Sequence, residues 1–207
     1  MKLGLFSHHT RILAVVTAAF GIFVLSGTSA RAAIIATDAC DNSALTQPFA
    51  PWGDASPYKL VPGGSFEKGT PSWTLSGGAK IVAGSEPFGA TGSVGSSSVS
   101  IPAGGSAQSP FTCVDAAYPT FRFFARNNGL LSTVLVSVVY RLPLLGPVAV
   151  PVGTVLLSEN WAPSLPMLTA SVVTGILSGG TTQVALRFTA LTGGSQIDDV
   201  FVDPRMH

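Results

Sequence analysis

The sequence predicts an all-β protein, folded as an antiparallel β-sandwich of the jelly-roll type. Short runs rich in β-branched and aromatic residues recur at spacings of roughly 8 to 12 residues, as they do in sandwiches. Glycine, proline and asparagine clusters separate these runs and predict turns. No stretch after the N-terminal region shows the 3.6-residue apolar period of an amphipathic helix. Two sheets packed face to face would bury the apolar faces of such strands.

Residues 1–32 are typical of a secretory signal peptide, which is removed on export. Lys2 and Arg11 give a basic start, residues 12–25 are apolar and uncharged, and Ala30-Arg31-Ala32 matches the small-x-small cleavage pattern. An uncut membrane anchor is the alternative, but the apolar run is shorter than the roughly 20 residues that span a bilayer. We therefore expect a secreted protein, released or held at the cell surface, with no membrane span after cleavage.

The remainder divides into an irregular leader, residues 33–57, and a sandwich domain, residues 58–207. Eight of the 11 basic residues remain after cleavage against 10 acidic ones, so the net charge becomes −2. This balance argues against a nucleic-acid partner, which requires a basic face. Cys40 and Cys113 are the two cysteines, and an exported protein can join them in one disulfide. Such a bridge would contribute on the order of 4 kcal/mol; two free thiols are the alternative.

The first predicted strands are short and are separated by glycine turns. Residues 59–61 end at Gly63-Gly64, where glycine permits unusual backbone angles. Residues 72–76 place Trp73 and Leu75 on one face, with Trp73 assigned to the core. The remaining predicted strands cover residues 80–82, 93–101, 107–114, 120–125, 132–140, 148–156, 168–173, 183–190 and 196–203.

The later strands carry more specific expectations. In residues 132–140, the alternating positions Val134, Val136, Val138 and Tyr140 predict a common inward face. Residues 148–156 contain Pro151, which predicts a bent strand at a sheet edge.

Two arginines recur in similar strand patterns. Arg122 stands within Phe-Arg-Phe and Arg187 within Leu-Arg-Phe. Both arginines are predicted to face solvent.

The predicted mature domain contains one histidine, at its last position, and no nucleotide-binding motif. His8 and His9 leave with the signal peptide and His207 is the last residue, so a histidine-dependent nucleophile or zinc site is not expected. No phosphate loop or dinucleotide fingerprint occurs. The carboxylates form no recognisable glycosidase motif; they include Glu67, Glu86, Asp115, Glu159, Asp198 and Asp199. We therefore expect a protein that is not an enzyme, with a hydrolase as the less favoured alternative.

A calcium site is predicted where the two ends of the domain meet. Glu67 follows a glycine turn, and Asp198 and Asp199 lie in the closing strand. Calcium prefers carboxylate and carbonyl oxygens, and first and last strands are often neighbours in a sandwich. In the alternative interpretation Glu67 caps a turn, one aspartate pairs with an arginine, and the other is solvated.

Two motifs carry a family resemblance that spans most of residues 59–203. Gly64-Ser65-Phe66-Glu67-x-Gly69, followed by Trp73, and Ile197-Asp198-Asp199-Val200-x-Val202 resemble the opening and closing of galactose-binding-like carbohydrate-binding modules. The chain is also similar to secreted bacterial proteins that carry this pattern. The resemblance implies a jelly roll with structural calcium bound by Glu67 and Asp198, backbone oxygen near Gly64, and Asp199 as second choice.

The resemblance further implies binding of carbohydrate or cell-wall glycan through exposed aromatic rings. The candidate ligand-binding residues are Trp52, Tyr58, Tyr118 and Trp161. Packing of each ring in the core or a turn is the alternative. A structural or adhesive surface protein, contacting other proteins through the apolar segment 142–157, is the alternative function.

Overall fold

β-Strands form almost all the regular structure of the computed structural model, which describes residues 44–67, 72–115, 120–129, 131–142, 146–169 and 181–203. The strands are β1 (Lys59–Leu60), β2 (Thr74–Ser76), β3 (Lys80–Ala83), β4 (Ser97–Ile101), β5 (Ser106–Gln108), β6 (Thr112–Asp115), β7 (Thr120–Asn127), β8 (Thr133–Leu142), β9 (Gly146–Leu156), β10 (Ala162–Pro163), β11 (Met167–Leu168), β12 (Thr181–Thr192) and β13 (Ser195–Val202). A short 3-10 helix, Ala50–Trp52, precedes them.

Two antiparallel sheets make up the sandwich. The first has the order β10-β7-β13-β4-β3, with β1 paired to β13 and β11 to β7. The second has the order β2-β5-β12-β8-β9, with β6 paired to β12. The chain passes between the sheets at β1 to β2, β2 to β3, β4 to β5, β6 to β7, β7 to β8, β9 to β10, β11 to β12 and β12 to β13. The predicted all-β jelly-roll sandwich is therefore confirmed.

The main core lies between the two sheets. The inward face of β8 supplies Val134, Val136, Val138 and Tyr140, as the alternation predicts. Trp73 is 7% exposed and its indole nitrogen donates to the Pro62 carbonyl at 3.0 Å, which satisfies the one polar atom of this core ring.

Strand β9 confirms the prediction of a bent edge strand. It lies at the end of the second sheet, and its pairing with β8 shifts register where Gly153 and Pro151 meet Val136 and Ser137. Proline has no amide proton, so its place on a solvent-facing edge removes no ladder hydrogen bond.

The single strand predicted over residues 107–114 is wrong in one respect, because it is divided into β5 and β6. Pro110 breaks it, since proline cannot donate to the ladder. Ser109 bridges the break: its backbone amide donates to the Leu186 carbonyl and its hydroxyl accepts from the Leu186 amide, both at 2.9 Å. Both pieces therefore pair with β12.

Arg122 does not face solvent, contrary to the sequence prediction. Its side chain is 5% exposed and its guanidinium lies 2.8 Å from the Asp54 carboxylate. The leader causes this burial, because it covers the outer face of the first sheet around Phe49 and Tyr58. A second cluster of Phe49, Tyr58, Phe124 and Phe201 thus lies outside the main core.

Several sequence predictions fall partly outside the described residues. The signal peptide, Cys40 and Tyr118 lie outside them, as does most of predicted strand 168–173. Cys113 lies on β6 and is 9% exposed. The disulfide between Cys40 and Cys113 stays a prediction. Within the ranges described above, no helix is long and apolar enough to cross a membrane.

Candidate functional site

The opening and closing segments of the domain meet, as the sequence predicts. Strand β1 pairs with β13 through Lys59 with Val202 and Leu60 with Phe201. The backbone amide of Val61 then donates to the Val200 carbonyl at 2.8 Å, and the Val200 amide donates to the Gly64 carbonyl at 3.1 Å.

Gly64 is required at this contact. A β-carbon at Gly64 would lie 2.9 Å from the carbonyl oxygens of both Val200 and Val61. A larger residue would therefore force the opening turn away from the closing strand.

Hydrogen bonds to the Glu67 side chain connect the opening turn to the start of β4. Its carboxylate accepts from the Ser96 amide at 2.7 Å, the Ser97 amide at 2.8 Å and the Ser96 hydroxyl at 2.7 Å. Burial alone would raise the pKa of Glu67, but these hydrogen bonds hold that pKa below its ordinary value. Glycine is needed at position 95, because a β-carbon there would lie 2.3 Å from Glu67 Oε1.

Asp198 is fully buried on β13 and accepts three hydrogen bonds. The Ser85 hydroxyl donates at 2.6 Å and the Glu86 amide at 2.9 Å to Oδ2, and the Asp199 amide donates at 2.9 Å to Oδ1. Burial raises the pKa of Asp198 to about 6, and the nearby negative charge of Glu86 acts in the same direction.

Asp199 lies in the irregular centre of the closing strand, where the pairing with β7 shifts register. Its backbone is left-handed, with φ of 43°, and its side chain is buried. Burial raises the pKa of Asp199 to about 8, with the charges of Asp198 and Glu86 acting in the same direction. The carboxyl groups of Asp198, Asp199 and Glu86 therefore lie close together and buried at the centre of the closing strand.

Glu86 completes this group, and the sequence prediction did not include it among the metal ligands. It is fully buried and accepts from the backbone amides of Phe88 and Ala90, the latter at 2.8 Å. Its sequence signal is a glutamate before Pro87 in a glycine-rich turn. This local pattern indicates a turn, but it does not indicate that Glu86 lies beside Asp198 and Asp199 on β13.

The predicted calcium ligands do not come together as a metal centre. In the part of the chain that the structure describes, no three aspartate, glutamate, histidine or cysteine side chains are arranged so that they could hold an ion. The Gly64 carbonyl accepts from Val200, and the Glu67 carboxylate is bound to Ser96 and Ser97. This is the turn-capping role that the alternative interpretation gave to Glu67. Calcium binding at Asp198 and Asp199 stays a prediction.

Tyr58 must be removed from the candidate sugar-stacking residues. It is 1% exposed, its ring packs edge-on against Phe49 at 5.0 Å, and its hydroxyl donates to Asp54 at 2.8 Å. Burial raises the pKa of Tyr58 to about 12. This burial is the packing role that the alternative interpretation gave to Tyr58.

Trp52, another predicted ligand residue, lies at the surface beside Phe88. Trp52 is 37% exposed and Phe88 48% exposed, and their rings meet edge-to-face with centroids 5.0 Å apart. Both rings also contact the buried Phe124, at 5.4 and 5.7 Å. They line an open depression of about 490 Å³ whose other walls include Gln47 and Thr91.

Trp161, the remaining described candidate, lies next to β10 and is partly buried. The guanidinium carbon of Arg126 is 5.3 Å from the centre of its ring. Trp161 also packs against the second cluster, the one that contains Phe124. It is not among the residues that line the depression beside Trp52.

Comparison with known proteins adds a set of solved structures. No family model and no curated protein matches the chain. The CBM22-1 xylan-binding domain of Paenibacillus barcinonensis Xyn10C is 13% identical over 69% of this chain and 93% of its own, with a TM-score of 0.49. CBM22-1-GH10 modules of Clostridium thermocellum xylanase 10B are 16% identical over 72% of this chain but only 27% of their own, with a TM-score of 0.49.

A third similar structure is TmCBM61, solved in complex with β-1,4-galactotriose. It is 14% identical over 69% of this chain and 96% of its own, with a TM-score of 0.43. Modules of this kind are the class that the opening and closing motifs resemble. At these identities and TM-scores the similarity does not say what this chain binds.

Proposed function

We propose that this protein is an exported, noncatalytic domain that binds carbohydrate through the depression lined by Trp52 and Phe88. The observation that carries the proposal is the pair of exposed rings, meeting at 5.0 Å above a buried aromatic support. Exposed aromatic faces of this kind stack on the apolar faces of sugar rings. Gln47 and Thr91, in the same depression, supply polar groups that can fix the orientation of a sugar.

The depression is supported rigidly, which favours binding. Trp52 lies in the 3-10 helix, and the leader is held by Phe49 in the second cluster and by the Asp54–Arg122 ion pair. Because the rings are already in place, little conformational entropy is lost when a ligand stacks on them.

The burial of the aspartates supports the noncatalytic part of the proposal. Asp198 is fully buried and Asp199 is 3% exposed. A glycosidase needs two carboxyl groups that flank a bound sugar. These two side chains are buried and cannot do so.

A glycan array followed by titration calorimetry tests the binding proposal. Trp52→Ala and Phe88→Ala should each weaken binding of any glycan that the wild type retains by about fivefold or more, since one stacking contact contributes about 1 kcal/mol or more. Leu165→Ala is the matched control, because Leu165 is 81% exposed and lies outside the depression. Wild-type affinity in both aromatic variants would refute the proposed site.

An array without any hit would favour the alternative function, contact with other proteins through the apolar segment 142–157. Most of the described part of that segment is edge strand β9, which exposes Leu156 to 70%. Pro147 and Pro151 lie on the same strand and lack the amide proton that strand addition requires. The edge therefore offers side chains rather than a free backbone ladder.

Structural calcium is a separate part of the proposal. Three buried carboxyl groups, Glu86, Asp198 and Asp199, lie together, and no lysine or arginine forms an ion pair with them in the described ranges. The hydroxyl of Ser98, on the neighbouring strand β4, is also buried and has no hydrogen-bond partner among the described residues. Oxygen donors of this type suit calcium. Calcium would require these side chains to move, because their present positions form no metal centre.

Export and the disulfide belong to the same proposal. N-terminal sequencing of the mature product should place its first residue near position 33. Intact mass under non-reducing conditions should be about two hydrogens lower than that of the reduced chain, because Cys40 and Cys113 would be joined. Alkylation of both thiols without prior reduction would contradict the bridge.

A further inference from the structure

A row of polar side chains crosses the outer face of the first sheet. Lys80 on β3 pairs with Ser100 on β4, Ser100 with Gln196 on β13, and Gln196 with Arg126 on β7. The next residue, Ile197, lies in the main core, so this row faces the other way. Three strand spacings of about 4.8 Å place the two basic ends roughly 14 Å apart.

Arg126 is held in one orientation at the end of this row. Its Nε donates to Oε1 of Gln196, and its guanidinium stacks on the Trp161 ring with Cζ 5.3 Å from the ring centre. Gln196 is itself buried. The hydrogen bond to Gln196 therefore fixes one edge of the guanidinium, and the Trp161 ring covers one of its faces.

The terminal nitrogens of Arg126 have no acceptor among the described residues. Arg122 differs, because it bonds to Asp54 and to the Ser164 carbonyl. Arg187 also differs, because its Nε and Nη2 both donate to Gln108. The nearest carboxylate along β13, Asp198, accepts from Ser85 and Glu86 instead.

We propose that Arg126 binds the carboxylate of an acidic sugar, so that the glycan bound by this domain contains uronic acid residues. A guanidinium already fixed by Gln196 and Trp161 presents a two-pronged donor that matches the two oxygens of a carboxylate. Lys80, at the other end of the row, offers a second positive charge to a chain lying across the strands. The inference rests on the proposed carbohydrate-binding function and names its substrate class.

Titration calorimetry on the full chain tests this with matched pairs of ligands. The probes are oligosaccharides of galacturonate, glucuronate and mannuronate, each compared with its methyl ester, which keeps the sugar and removes the charge. The wild type should bind at least one acid about tenfold or more tightly than its ester, the size expected for hydrogen bonds to a charged group. Added salt should reduce this preference.

Arg126→Gln should remove the preference for the acid, and Arg126→Lys should restore part of it, because lysine keeps the charge without the planar fork. Arg141→Gln is the control, since Arg141 is exposed and stacks on Phe111 instead. Thermal unfolding of each variant shows whether its fold is intact. A folded Arg126→Gln variant that keeps the wild-type preference would overturn the inference.

The two proposals fail in different ways. Equal binding of acid and ester by the wild type, with loss of both in Trp52→Ala, would overturn the role of Arg126 and keep carbohydrate binding. No binding of any probe, together with an empty glycan array, would overturn both.

Discussion

Replacing Asp54 with asparagine should loosen the leader from the sandwich. Asp54 Oδ2 lies 2.8 Å from Nη1 of Arg122, and the two side chains are only 16% and 5% exposed. The variant keeps the shape of the side chain but removes its charge. Arg122 would then stay buried with the Ser164 carbonyl and the Phe49 ring as its contacts.

The expected loss is about 3 kcal/mol, the lower end for breaking a buried ion pair by removing one partner. Tyr58→Phe, which removes a neutral hydroxyl donor to the same carboxylate, should cost about 1 kcal/mol. The double variant Asp54→Asn/Arg122→Leu should lose less than Asp54→Asn alone, because no uncompensated charge is left buried.

Urea unfolding, followed by tryptophan fluorescence, measures these differences. With a slope of about 2 kcal/mol per molar urea, the transition midpoint of Asp54→Asn should fall by about 1.5 M. Glycan binding should weaken in the same variant, because Trp52 lies in the leader that Asp54 holds.

The stability that Asp54 contributes should depend on pH in a direction set by its lowered pKa. Burial alone would raise the pKa of Asp54, but hydrogen bonds from Arg122, Tyr58 and Ser56 hold that pKa below its ordinary value. This stabilisation is therefore present above the unfolded-state pKa of about 3.9 and is lost as the pH falls through the lower folded-state pKa. A loss under 1 kcal/mol at neutral pH, or a loss that does not shrink in acid, would refute the reasoning.

The remaining predictions concern the acidic group and the Glu67 turn. In the presence of a chelator, the melting temperature should fall as the pH rises from about 5 to 8. Asp198 and Asp199 have raised folded-state pKa values of about 6 and 8, so the stability that depends on their protonated carboxyl groups is lost as the pH rises through those values. Calcium should reverse that fall if it binds there; calorimetric scans that are identical with calcium and chelator would contradict the calcium proposal. Gly95→Ala should destabilise the domain by about 1 kcal/mol or more in denaturant unfolding, because its β-carbon would lie 2.3 Å from Glu67 Oε1.

Local patterns were sufficient to predict most of the described strands and the meeting of the chain ends. The alternation in β8 reports which side chains are buried, because successive strand residues face opposite sides of a sheet. Pro151 marked an edge for an equally local reason, since it lacks an amide proton. The glycines before Glu67 and the paired aspartates in β13 indicated the contact between the opening turn and the closing strand, which the Val61–Val200 and Val200–Gly64 hydrogen bonds confirm.

Tertiary structure alone decided which side chains surround the closing strand and which remain open. Glu86 joins Asp198 through a loop that packs across the sheet, and Tyr58 and Arg122 are buried by a leader without periodicity. Whether Trp52 stacks inward or stays exposed likewise depends on Phe88 and Phe124, which are distant in sequence. The sequence by itself determined where most strands lie, because alternation and turn residues are local signals. The pairing of these strands into two sheets, and the coverage of the outer face, depend on contacts between distant segments.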